Sequence, residues 1–482
     1  DHVERTSKGG SDLHGAGLFP DRIIFSSPHD GDLQKTQKIV LKVIESLAQD
    51  IRAIQNVEDR TFQEKAKEYL LDYLNVHIIE KELDATQNPI LALSPALDAL
   101  ELRQGFPALS KNYLTRYLTQ ASVAKNPTSD LALDAFGENR LLNRKTIEHL
   151  AVAQFINPQT DEYTDAAMED TKSCDIIKKY STHPDFIQAH KYVAIVQADG
   201  DNIGKTISQL KKGDNFSQEM AQVFSRILMD FSTYAVQQVN DYGGLPVYAG
   251  GDDLLFFAPV LNKNTSLKQQ NIFALLKQLD TVFRERMETG MTQAGLVYGE
   301  DLPVPTLSFG LSISYYKFPL YESLSSALNL LFGVAKQKGK HSIAFELRKH
   351  AGSSYKGILP LKGNLSGAYS DLLINLFEED HTMLLSSVAQ KLRRERHLVD
   401  IIGKEDDRVR AYMANSFNES IHQKGHKHRF ISSIASLIPE VYKTHPIPAK
   451  PETLKEQDPA FPHNQLLGLL RSLQFLVDDT TA

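Results

Sequence analysis

The clearest alternation of apolar and polar positions in this chain lies between residues 192 and 347. Tyr192-Val193-Ala194-Ile195-Val196 is a continuous apolar run, which predicts a buried strand ending at Asp199. Met220, Val223, Phe224, Ile227, Leu228, Phe231, Tyr234, Ala235 and Val239 then recur at helical spacing. Gly243-Gly244 follows where a C-terminal cap belongs. Two short apolar segments, Leu245 to Ala249 and Leu254 to Ala258, flank Gly250-Gly251-Asp252-Asp253, a hairpin signal. A second helix carries Ile272, Phe273, Leu276, Leu279, Val282 and Phe283. Next, Leu307, Phe309, Leu311 and Ile313 alternate with Ser308, Gly310, Ser312 and Ser314, giving a strand with one apolar face and one small, polar face. A third helix with Leu324, Ala327, Leu328, Leu331 and Ala335 leads to a last strand, Ser342 to Leu347. The order β-α-β-β-α-β, with one further α-β, predicts an α+β fold of the ferredoxin-like, or palm, arrangement.

Outside that stretch the pattern is looser. Arg22 to Ser27, with Ile23-Ile24-Phe25, predicts a short strand before a turn-rich Ser-Pro-His-Asp-Gly-Asp segment. Helical periodicity then runs from Leu33 to Leu83, with Ile39, Val40, Val43, Ile44 and Leu47 as its stripe. Residues 85–185 mix helical pieces with loop signals at Asn126-Pro127, Asn157-Pro158 and His183-Pro184. Beyond Gly352 the pattern is mainly helical, as at Leu372, Leu373, Leu376 and Phe377 and from Leu466 to Val477. These shifts divide the chain into 1–185, 186–350 and 351–482.

Composition narrows the classes. With 53 Lys and Arg against 60 Asp and Glu, the 482-residue chain carries a formal charge of -7, which argues against nucleic acid coating its whole surface. Cys174 is the sole cysteine, so an internal disulfide framework and a Cys-based zinc knuckle are excluded and a reducing, cytoplasmic compartment is expected. No run of about 18 apolar residues occurs, so no membrane span is expected. The start, Asp1-His2-Val3-Glu4-Arg5, does not resemble a signal peptide.

Topology decides whether Asp199-Gly200-Asp201-Asn202 and Gly250-Gly251-Asp252-Asp253 can meet. In a split β-α-β unit the first two strands run parallel, and the hairpin returns the chain beside the first. The end of the first strand then neighbours the hairpin turn, and Asp199, Asp252 and Asp253 converge at one sheet edge. Carboxylates held together raise one another's pKa. Mg2+ or Mn2+ relieves that conflict, because hard cations take oxygen ligands. Two such ions on a nucleoside triphosphate would lower the pKa of an attacking hydroxyl and stabilise the departing pyrophosphate. Gly200, Gly250 and Gly251 are expected to allow tight turns and a close phosphate approach. Gly204 and Lys205 are expected to offer helix-start amides and a cation to phosphate. Lys336, Lys338 and Lys340 follow the third helix; Lys336 and Lys340 are the candidates for the triphosphate, although cations there also simply stabilise a helix C-terminus. Either acidic motif alone reads as a turn or a helix N-cap. Their joint occurrence, in this order, points to a metal site.

Other chemistry-bearing residues have bland readings. His29-Asp30 lacks a companion histidine helix and is expected to be structural. His422, His426 and His428 lie in a Lys-rich segment expected to be an exposed turn, and Cys174 is expected to be a small buried residue.

The stretches Val196-Gln197-Ala198-Asp199-Gly200-Asp201-Asn202-Ile203-Gly204-Lys205 and Val247-Tyr248-Ala249-Gly250-Gly251-Asp252-Asp253-Leu254-Leu255 resemble the large palm-containing subunit of type III CRISPR effector complexes, in a III-B-like form. Ser308-Phe309-Gly310-Leu311-Ser312-Ile313, Pro319-Leu320 and Ala335-Lys336 continue the likeness, which covers residues 190–350 well and the rest loosely. The resemblance implies a subunit that works with other effector subunits, CRISPR RNA and target RNA, making a second messenger from ATP when target RNA binds. It implies Asp199, Asp252 and Asp253 as metal ligands, Gly250 and Gly251 as the turn, and Asn202 as a nucleotide contact; Asp201 and Ser308 are further candidates for nucleotide binding. The product implied is a cyclic oligoadenylate or, with S-adenosylmethionine as co-substrate, an AMP conjugate; the motifs do not separate them.

Two departures qualify the resemblance. Many relatives carry an N-terminal HD nuclease domain, and residues 1–185 show no such ligand set, so no DNA cleavage is expected. A cysteine-based zinc site found in relatives is excluded by the single cysteine. A degenerate palm-like domain within the N-terminal region would lack the Gly-Gly-Asp-Asp turn and is expected to shape the pocket or bind the second substrate. The helical C-terminal region is expected to meet partner subunits. Two other readings use the same residues. A diguanylate cyclase-like enzyme shares the metal logic, but this turn continues Asp252-Asp253-Leu254 rather than Asp-Glu-Phe. A catalytically silent palm scaffold of a ribonucleoprotein would have no need to keep like charges together.

Overall fold

The computed structural model describes residues 24–26, 32–54, 60–74, 76–84, 86–102, 113, 147–156, 174–263, 270–337, 339–378, 382–416, 426–444 and 462–477. A six-stranded mixed sheet forms its centre. The strands are β1 (Tyr192–Asp201), β2 (Leu245–Ala249), β3 (Leu254–Pro259), β4 (Thr306–Tyr315), β5 (Ser342–Arg348) and β6 (Ser354–Pro360), in the order β2-β3-β1-β4-β5-β6. β1 lies antiparallel between β3 and β4, with Val196 opposite Phe256 on one side and Leu311 on the other. β5 joins β4 in parallel, and β6 closes the edge antiparallel to β5. The first four strands, with α1 (Gln218–Asp241) and α2 (Ile272–Gln293), follow the expected ferredoxin-like order.

Local chemistry sets the helix ends. The Ser217 hydroxyl accepts the Met220 amide at 3.3 Å to start α1, and the Asn271 side chain accepts the Ala274 amide at 3.2 Å to start α2. Gly243, at φ +88°, turns the chain out of α1.

The two sheet faces differ. Ala194, Val196 and Ala198 of β1 and Leu307, Phe309, Leu311 and Ile313 of β4 join the main core under α1 and α2. There Phe231 and Phe283 meet edge to face with centroids 4.8 Å apart. The other face is covered by α3 (Leu320–Asn329) and the π-helical turn Leu330–Ala335 that continues it. A Cβ on Gly310 would collide with the Ala327 carbonyl and the Leu331 amide. The small, polar face of β4 is therefore small because a helix backbone lies directly on it, and the Ser314 and Ser323 hydroxyls bond at 2.8 Å in that contact.

Several elements differ from the sequence expectation. β1 runs beyond Asp199 to Asp201, because Gly200 and Asp201 pair with Leu307 and Thr306 of β4. β6 stands where a helical pattern was expected to begin; its Gly357 to Pro360 are buried on both faces, so no alternation marks them as strand. The strand expected at Arg22 to Ser27 is absent over the described Ile24 to Ser26, where Phe25 is 61% exposed. The expected helix from Leu33 to Leu83 is two helices, Asp32–Ile54 and Arg60–Leu74, and 76–84 are irregular. Their shared core is Ile44, Ala48 and Ile51 against Ala66, Tyr69 and Leu70, and Ile39 and Val43 are exposed off that stripe. Before β1, the described residues include helices and irregular segments but no strand.

After β6 the described chain is helical. Its helices share the main core with the sheet, from Leu365 to Val477. The last, α4 (Pro462–Val477), lies on the free edge of β6. The Gln465 side-chain amide accepts the Ile358 N–H at 2.7 Å and donates to the Ile358 carbonyl, as a neighbouring strand would. Gly468 sits against the Lys356 carbonyl with no room for a Cβ, and Phe475 meets Tyr192 edge-on at 4.8 Å. No helix among the described residues is long and apolar enough to cross a membrane. His29, Asp30, Lys338, His422 and the Asn126-Pro127 and Asn157-Pro158 signals lie outside the described residues, as do the side chains of Cys174, His426 and His428.

Candidate metal and nucleotide site

The end of β1 supplies Asp199, and the turn between β2 and β3 supplies Asp252 and Asp253. One carboxylate oxygen from each lies within 4.8 Å of the others. Burial, then the neighbouring Asp199 charge, pushes Asp252 up to about 6. Asp253 is also raised well above the carboxylate range, first by burial, then by the hydrogen bond it shares with Asp199 and by the Asp252 charge.

The turn is held tightly. The Gly250 amide donates to the Asp253 carbonyl at 2.9 Å, and Gly251 sits at φ +97°. Ser232, buried in the middle of α1, accepts the Gly251 amide at 2.7 Å. Gly200 has a different purpose from the expected phosphate approach: a Cβ there would run into the Asp252 carboxylate, so glycine lets the two acidic motifs close on each other.

Lys336 is the compensating cation among the described residues. Its ammonium donates to the carbonyls of Asp199 (2.9 Å) and Gly200 (2.6 Å) and to Asp201 Oδ1 (2.9 Å), and it pairs with the Asp199 carboxylate. Expected to reach a triphosphate, Lys336 is instead engaged by the strand end, because the π-helical turn carries it back over β1. Lys205 and Lys340 are exposed. Asn202, at φ +64°, starts the helix Ile203–Ser208, its carbonyl accepting the Thr206 amide at 3.1 Å. Nothing crowds Gly204, so sterics do not demand a glycine there.

Asp201 and Ser308 depart from their expected role as nucleotide contacts. Asp201 is 1% exposed and Ser308 fully buried. Asp201 Oδ2 accepts the hydroxyls of Ser308 (2.7 Å) and Thr306 (3.1 Å) and the His341 amide (2.9 Å). Both residues are turned into the protein and spent on each other, so they shape the site from behind. Thr306, His341, Asp280 and Ser232 were not singled out from the sequence. A signal existed for two of them: Asp280 and Ser232 are polar residues set within the apolar stripes of amphipathic helices.

Three oxygen donors gathered at one point, with Asp252 and Asp253 raised in pKa and one lysine for compensation, suit a hard divalent cation. Residues 192–344 match the model of the Cas10/Cmr2 second palm domain. This stretch is similar to a Cas10/Cmr2 second palm. Two curated relatives of the palm-bearing chain are similar to it: the CRISPR system Cmr subunit Cmr2 of Pyrococcus furiosus, 33% identical over 186 residues (34% of this chain, 19% of that protein), and that of Saccharolobus solfataricus, 26% identical over 112 residues (23% and 10%). The matches span about a fifth or less of those relatives' length. Among solved structures, a chain of a type III-B Cmr-beta apo-state cryo-EM structure is similar at 13% identity and a TM-score of 0.30, over 86% of this chain and 48% of that one.

Proposed function

We propose that this chain is a metal-dependent nucleotidyl transferase of a type III, III-B-like CRISPR effector complex, making a second messenger from ATP when target RNA is bound. The carrying observation is the convergence of Asp199, Asp252 and Asp253 beside a part-buried lysine. These three carboxylates would hold Mg2+ or Mn2+. When bound, the metal supplies charge stabilisation to the triphosphate and lowers the pKa of the attacking hydroxyl. The chain's own residues orient the reaction: Gly250 and Gly251 fix the acidic turn, and Gly200 admits Asp252. Asn202, Gly204 and Lys205, which follow directly on β1, and the exposed Lys340 bind the nucleotide.

Other effector subunits hold the CRISPR RNA and the target RNA, consistent with the chain's charge of -7, and the complex works in the cytoplasm. The product is a cyclic oligoadenylate or an AMP conjugate such as that with S-adenosylmethionine. The test incubates the assembled complex with labelled ATP, Mg2+ or Mn2+, and target RNA. The expected result is a new adenylate product from wild type and none from Asp252→Ala/Asp253→Ala. Identical product profiles from the two would end the proposal, and mass spectrometry with and without S-adenosylmethionine identifies the acceptor.

A further inference from the structure

Behind the acidic cluster runs a chain of buried polar groups that the proposed reaction does not use directly. Asp280, on α2, is 3% exposed. Its Oδ1 accepts the Leu307 amide of β4 at 2.9 Å, and its Oδ2 accepts the Nε2–H of His341 at 2.7 Å. His341 is 8% exposed and sits at φ +47°, after Lys340 at +59° and Gly339 at +110°. Successive left-handed residues that are not glycine are strained and persist only where their surroundings hold them. The His341 side chain is that hold. Its backbone amide, in turn, donates to Asp201, whose other oxygen binds Lys336, and Lys336 grips the end of β1 at Asp199.

We propose that Asp280 and His341 are positioning residues that pin the 336–341 loop, and so fix the Lys336 ammonium against Asp199 and Asp201. This inference rests on the nucleotidyl-transfer reading for its consequence, but the pinning stands on the geometry alone. Neither residue touches the acidic cluster, so the metal ligands stay in place, and a loosened Lys336 removes a cation that competes with the metal for Asp199. Triphosphate binding depends on them, because Lys336 holds the end of β1, from which the nucleotide-binding Asn202, Gly204 and Lys205 continue, and a displaced Lys336 lets that segment shift.

The test uses the full-length chain and three variants: Asp280→Ala, Asp280→Asn and His341→Asn. Asparagine tolerates positive φ but is too short to reach Asp280, so His341→Asn removes the tie without adding strain. Hydrogen exchange across 336–342 should speed up at least tenfold in Asp280→Ala and His341→Asn, while exchange in β1 and β3 holds. Affinity for a non-hydrolysable ATP analogue in the presence of Mn2+ should fall about 10- to 100-fold. Mn2+ binding alone, followed by electron paramagnetic resonance, should not weaken, because its ligands are untouched and the competing Lys336 cation is loosened. Asp280→Asn, whose amide oxygen accepts the Leu307 N–H and whose NH2 donates to Nε2 of the other His341 tautomer, should recover most of the analogue affinity. In a Lys336→Ala background, His341→Asn should add no further loss.

Unchanged exchange at 336–342 in both variants, or losses that add fully to that of Lys336→Ala, would overturn the assignment. If wild type binds Mn2+ but not the analogue, the nucleotidyl-transfer reading fails while the exchange result still decides the pinning.

Discussion

Two acidic neighbourhoods lie two residues apart on β1, and they solve the burial of negative charge in opposite ways. Asp201 is almost wholly buried, yet its oxygens receive two hydroxyls, one backbone amide and an ammonium. Asp199, Asp252 and Asp253 are less buried but face one another, with Lys336 as the cation between them. The first arrangement is complete within the protein; the second leaves charge that only a ligand from outside can neutralise. A carboxylate surrounded by donors is part of the scaffold, whereas carboxylates surrounded by carboxylates are held ready for something else.

The sharpest way to break this comparison is to exchange the fates of the two neighbourhoods. Asp252→Ala/Asp253→Ala should lower product formation by on the order of 1000-fold or more, since metal stabilisation of transition-state charge is worth several kcal/mol. Its melting temperature without metal should not fall. Asp201→Ala should do the reverse first: it leaves two buried hydroxyls and the His341 amide without their acceptor and takes one of two carboxylates from Lys336, costing about 3–5 kcal/mol in urea unfolding. Equal stability loss in both variants would erase the distinction drawn here.

Smaller effects sharpen it. Ser232→Ala leaves the Gly251 amide buried without its acceptor and should cost about 1–3 kcal/mol in the same unfolding assay, with weaker Mn2+ binding because the turn loosens. A pH series then separates the two acidic groups. Burial pushes Asp252 up to about 6, from 3.8 for an ordinary aspartate, so the folded state binds its proton more tightly than the unfolded state does. That contribution is present below about pH 4 and is lost as pH rises toward 6, so metal-free wild type should weaken over this window. Asp252→Asn should flatten the decline by on the order of 1–2 kcal/mol, discounted for partial exposure. Saturating Mg2+ should restore wild type, but not the variant, above pH 6.

The cluster itself was legible because it depends on local order: strand, helix, hairpin, with the acids at the strand end and the turn. Asp199, Asp252 and Asp253 needed only that topology to meet. The supporting groups were harder to see. Ser308 and Asp201 look like site residues in one dimension, and only the pairing of β1 with β4 shows them bonding to each other in the interior. Lys336 was legible as a site cation, but its partners were not, since a π-helical turn changes where it points. β6 escaped because full burial removes the alternation that marks a strand. Ile39 and Val43 misled because an apolar residue one step off a helical stripe still scores as apolar.

The union of α4 with β6 has a consequence for how the chain comes off the ribosome. β6 is complete long before Gln465, Gly468 and Phe475 have been synthesised, and until they arrive its edge offers unpaired N–H and C=O groups. The palm sheet therefore cannot be sealed as it emerges; it waits for the last described helix, a contact distant in sequence and slow to form. A nascent chain stalled before α4 carries an open strand edge until that helix docks.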